Sequence, residues 1–255
     1  MLELYLDQET ADIDKNVVDR WVWDKLGSGG INFPLNSYDH YMYVMPDNVD
    51  FGGAAAYACL WCPKTVYLDT LASAYQVLLH EIGHNIGHVH SGKDGGSYND
   101  RTCWMGAHTY WDEGPKACFN APKSWYFGWY SDRHIQVAPS TESISLKLAG
   151  IDDYLNDKTV EGEHHVILRL KEGREDLYML YNRAKGVNSG VRGSEDLVTV
   201  VEQKGDRQQS WELAALDAGK TFAKPDWNGS GKNLTISVCH YVPGRAGEPD
   251  IADFI

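Results

Sequence analysis

Apolar positions along the chain keep a helical rhythm in places and an alternating one elsewhere. From Asp14 to Leu26, Val17, Val18, Trp21, Val22 and Leu26 recur at near-helical spacing, and Gly27-Ser-Gly-Gly30 ends the run. Tyr38 to Met45 is an aromatic-rich run stopped by Pro46 and predicts a buried strand, with a second short strand at Thr65 to Leu68. A longer helix is predicted over Thr70 to Gly87, its apolar face made by Leu71, Tyr75, Leu78, Leu79, Ile82 and Ile86. A loop rich in Gly, Asp and Asn follows from Ser91 to Asp100. Asn120 to Tyr130 predicts one more helix, with Asn120 as N-cap, Pro122 in the first turn and Trp125 and Trp129 on one face. After about Val137 the period drops to two. Ser143 to Leu148, His165 to Leu170, Leu177 to Tyr181, Leu197 to Val201 and Leu234 to Val242 are β-rich runs between Gly, Asp and Asn turns. The expectation is an α+β chain: a mixed region over 1–137, then an antiparallel β-sandwich over 138–255.

The 255 residues, 43% apolar and 23% charged, can bury a sizeable core and have the balance of a globular protein. No apolar run approaches the ~20 residues of a membrane helix. The start lacks a basic-then-apolar signal segment, so Met1 reads as an artificial start or a processing point, with room for a signal peptide and propeptide upstream. A formal charge of −13 argues against a nucleic-acid partner, whose phosphates need a basic surface. Of the five cysteines, Cys103 and Cys118 flank a Gly-containing loop that a disulfide would close. Cys59-Leu-Trp-Cys62 reads as a short surface disulfide or two thiols, and without a second C-x-x-C it does not read as a structural zinc site.

The chemistry is concentrated in His80-Glu-Ile-Gly-His-Asn-Ile-Gly-His-Val-His90. Positions i and i+4 of a helix share a face, so His80 and His84 can converge on one metal ion. Gly87 can adopt backbone angles closed to other residues, which lets the chain double back and bring in His90 as third ligand. Three nitrogen ligands leave a fourth tetrahedral position for water, the mark of a catalytic zinc site, and Glu81 is placed to take a proton from that water. Chance would produce the full pattern in fewer than roughly one in ten thousand chains of this length. In the intervening loop Asp94, Asn99 and Asp100 offer oxygens to a Ca2+ ion, though without a recognised calcium-loop spacing. His88, between the ligands, faces away on helical geometry.

An extended histidine motif followed by a Met in a tight turn resembles the metzincin metallopeptidases, here with Met105 in Thr102-Cys-Trp-Met-Gly106. Among them the chain is most similar to the gametolysin-like (peptidase M11) family. The likeness continues through Cys118-Phe-Asn-Ala-Pro-Lys-Ser-Trp-Tyr-Phe-Gly-Trp-Tyr130, and its strong part spans about residues 38–131. It implies a secreted endopeptidase with His80, His84 and His90 as Zn2+ ligands, Glu81 as general base and Met105 as packing support beneath the imidazoles. The substrate implied is a protein, peptide or glycoprotein. Some metzincins carry a Tyr two residues after the Met; this chain has Ala107 there, leaving His108 and Tyr110 as candidates for stabilising the oxyanion. The resemblance also puts Gly52, Gly53 and Ala54 where a substrate-pairing edge strand would run, against which stands a loop tightened by glycines. A rival reading keeps the metal without the protease, as a secreted binding or adhesion module with a vestigial site. Glu81 speaks against it, because a purely structural zinc has no use for that carboxylate.

Overall fold

The computed structural model describes residues 3–28, 37–107, 116–138, 143–172 and 175–255. They form a mixed α+β structure that divides into two compact units, one running to Gly87 and the other from His88 to Ile255.

The first unit contains helix α1 (Lys15–Ser28), strands β1 (Tyr41–Met45), β2 (Ala56–Ala58) and β3 (Lys64–Leu68), and helix α2 (Tyr75–Asn85). β3 is the middle strand, parallel to β1 and antiparallel to β2. Its Val66 and Tyr67 are fully buried and point to opposite faces, as alternation along a strand requires. Val66 meets Val18 of α1, Met45, Val49 and Phe51, while Tyr67 meets Ala56 and Val77 of α2. One three-stranded sheet is thus covered by α1 on one face and by the histidine-bearing helix on the other.

The second unit begins with β4 (Ser91–Lys93), α3 (Ala121–Phe127), β5 (His134–Val137), β6 (Leu146–Ala149), β7 (His164–His165), β8 (Ile167–Glu172) and β9 (Glu175–Tyr181). It continues with β10 (Val198–Gln203), β11 (Ser210–Leu216), β12 (Thr221–Lys224), β13 (Leu234–Val242) and β14 (Ile251–Phe254). A six-stranded sheet runs β4-β11-β10-β9-β8-β5 and a five-stranded one β12-β13-β14-β6-β7. β4 and β5, which precede residue 138, join the first of these sheets at its edges, and both pair parallel to their neighbours.

β9 shows why the six-stranded sheet sits in the interior. Leu177, Met179 and Tyr181 enter one core with Val198 and Val200 of β10 and with Ile236, Val238, Ala252 and Phe254 of the other sheet. The intervening Tyr178 and Leu180 enter a second cluster with Ala121 and Trp125 of α3. A strand buried on both faces reads as a near-continuous apolar run. Leu177 is fully buried, so Leu177→Ala should cost about 2–5 kcal/mol through lost transfer energy and a cavity. Urea unfolding checks this, and an unchanged midpoint would contradict the packing described.

Candidate metal centre

α2 carries His80, Glu81 and His84 in its last turns. Its buried residues are Gln76, Val77, Glu81, Gly83 and Asn85, whereas Tyr75 and Ile82 are exposed. The apolar stripe expected from Tyr75, Leu78, Leu79 and Ile82 is therefore rotated away from where it was placed. Asn85 lies on the buried side. Its amide donates to the carbonyls of Cys59 (3.1 Å) and Lys64 (2.9 Å), and its Oδ1 lies 3.3 Å from His40 Nδ1, so a polar side chain faces the sheet. The same rotation buries Glu81 to 7% exposure. Burial pushes its carboxyl up to about 7, the range in which a group can both accept and return a proton near neutrality. The rings of His80 and His84, one turn apart, meet edge to face at 4.9 Å.

Gly87 ends the first unit with φ +101°, and a Cβ there would stand 1.9 Å from the Trp61 ring. Trp61 lies in the loop closed by the Cys59–Cys62 disulfide. Its N–H donates to the His84 carbonyl at 3.4 Å, an oxygen that also accepts the Gly87 N–H at 2.9 Å. Two separate demands, a positive φ and the absence of a side chain, fall on one glycine.

In the second unit, the His90 ring packs on Tyr98 with centroids 4.1 Å apart. The His90 carbonyl accepts the Ser210 N–H at 3.3 Å, and the Ser91 N–H donates to the Met105 carbonyl at 2.9 Å. Met105 is fully buried in the turn whose Gly106 has no room for a Cβ, which would lie 1.7 Å from the Asp100 carbonyl oxygen. His88 packs against Phe119 and, edge to face at 4.3 Å, Phe127, inside an aromatic cluster.

The ligand atoms offered by His80, His84 and His90 lie within 4.8 Å of one another, and no other metal-holding group of His, Cys, Asp or Glu occurs among the described residues. Three imidazole nitrogens at that spacing fit one divalent cation with a position left over. Nothing among the described residues supports a calcium site in the loop after His90. Asp100 spends one carboxylate oxygen on the Thr102 N–H and hydroxyl and the other on the Asn120 amide.

Other expected features fall differently. Gly52 and Gly53 have φ of +61° and +81°, and Gly52 donates to the Asp50 carboxylate at 2.7 Å. Gly52, Gly53 and Ala54 are therefore a turn, and the strand begins at Ala56. Cys103 and Cys118 are two thiols instead of a bridge. The Cys103 sulfur accepts the Asn120 N–H at 3.3 Å, and burial raises both thiols, to about 11 and about 12. Asn120 stands at the N-cap of α3 without capping it; its amide points to Asp100, Ser91 and Ser210. His108 and Tyr110 lie outside the described residues. Trp61, Tyr98 and Lys123 were not legible as site neighbours, because only tertiary structure brings them to the histidine segment.

Residues 7–160 match the family model of gametolysin peptidase M11. The chain belongs to that family of peptidases, and the membership implies a metal. No curated protein and no solved structure matches it. No helix among the described residues is long and apolar enough to cross a membrane.

Gly87→Ala should lose at least about 2 kcal/mol of stability, combining backbone strain with displacement of Trp61. Gly95 also has a positive φ but nothing within reach of a Cβ, so Gly95→Ala should cost only the backbone part, about 1 kcal/mol. Parallel urea titrations check this, and equal losses would remove the role given to Trp61.

Proposed function

We propose that the chain is a secreted zinc-dependent endopeptidase hydrolysing peptide bonds in proteins or glycoproteins. The observation that carries this reading is a cluster of three imidazoles, two of them on α2 with a buried carboxyl beside the first. His80, His84 and His90 would hold Zn2+, a borderline metal suited to a neutral three-nitrogen set. When bound, zinc makes a water acidic enough to attack near neutral pH and polarises the carbonyl under attack.

Glu81 acts as general base on the attacking water and then gives that proton to the departing amine. Its buried position suits it to hold a proton between the two transfers. Met105 supports the imidazoles by packing and is not a ligand. Tyr110 and His108 are the candidates for binding the oxyanion. The functional division follows about residue 137. The region before it would supply the reacting groups in a metzincin-type arrangement, while 138–255 would be a β-sandwich of accessory or substrate-binding role, supported by the core shared between its two sheets, one of which also takes in β4 and β5 from before that boundary.

Glu81→Gln should keep its zinc and lose activity on casein by about 10²–10⁴-fold, whereas His84→Ala should lose the metal. Metal analysis beside a casein assay checks both. Near wild-type hydrolysis by Glu81→Gln would remove the mechanism, and a protein that takes up no zinc would remove the whole reading.

A further inference from the structure

Lys123 of α3 is buried to 1% exposure, and its Nζ makes one hydrogen bond among the described residues, to the His90 carbonyl at 3.4 Å. Burial pulls the ammonium down to about 8, with Cys103 and Asp100 close enough to act on it electrostatically. Packing alone does not call for such a residue. Burying an ammonium costs several kcal/mol, and an apolar side chain of similar volume would fill the space at less expense.

Its surroundings are built to receive it. Asp100, Thr102, Asn120, Ser91 and Ser210 form a buried polar network beside it, each 4% exposed or less. Asn120 donates to Asp100 at 2.9 Å and to Ser210 at 3.0 Å, and the Ser91 and Ser210 hydroxyls are 3.0 Å apart. The His90 carbonyl already receives the Ser210 N–H, so Lys123 is a second donor to an oxygen that a backbone group satisfies. Two donors on one carbonyl fix the plane of the peptide joining His90 to Ser91. The N–H on the other side of that plane is held by Met105. That plane anchors the Cα from which the His90 side chain departs, and the Tyr98 ring, 4.1 Å away between centroids, packs on the imidazole itself.

We propose that Lys123 is a positioning residue for the third metal ligand, its buried cation holding the His90 backbone so that the imidazole keeps its direction without the metal. This rests on the reading of His90 as a ligand. The test is Lys123→Met in the full chain, comparing zinc affinity, by competition with a chromophoric chelator, with the urea midpoint of the zinc-free protein. The expected result is zinc binding about 10–100-fold weaker, whichever way the zinc-free midpoint moves, because losing the ammonium removes a costly buried charge but also takes the nearby cation from Asp100. A purely structural lysine would give a lowered midpoint with unaltered affinity, and that result overturns the proposal. So does a Met variant that fails to fold. Wild-type protein that binds no zinc would instead overturn the peptidase reading itself, so the two failures are distinguishable.

Discussion

A helix can aim two imidazoles at one point, at i and i+4, but a third must come from chain that has left the helix. Everything around the histidine segment answers that constraint. Gly87 makes the exit with φ +101°, and the Trp61 ring occupies the volume that any side chain there would need. Trp61 is in turn held by the disulfide-closed loop and by its bond to the His84 carbonyl. The end of α2 is therefore specified by a loop more than twenty residues upstream as well as by its own residues.

On the other side of the exit the support is of a different kind. His90 runs into β4, whose three residues pair with the start of β11, and its neighbour Ser91 is tied to the Met105 turn. Buried polar groups replace apolar packing here. Such a network is costly when any member lacks a partner and rigid when the members satisfy one another. Satisfied in this way, the groups hold the His90–Ser91 segment in one arrangement.

The reading of the sequence was most reliable where one local rule decided the outcome. β13 occupies Leu234–Val242 as its alternation predicts, and β3 and α1 fall within two residues of their expected starts. The site motif was legible because four of its residues lie within eleven positions. Hydrophobic spacing misplaced the buried face of α2, where the Asn85 amide finds the carbonyls of Lys64 on β3 and of Cys59 just after β2 while Tyr75 and Ile82 stay exposed. Gly52 and Gly53 looked compatible with a strand, but an aspartate two residues earlier accepts a backbone N–H and turns the chain. Asn120 looked like a cap because its partners, up to ninety residues distant, cannot be seen from its neighbours.

The pairing of β4 with β11 links residues 119 positions apart. Contacts between such distant parts of a chain form late, because a long loop must close before they return any stabilisation. During synthesis the histidine segment emerges well before Ser210, and until then the His90 carbonyl lacks its backbone donor. The ribosome thus releases the histidine motif more than a hundred residues before the strand that pairs beside it, so for part of synthesis the segment exists without that support.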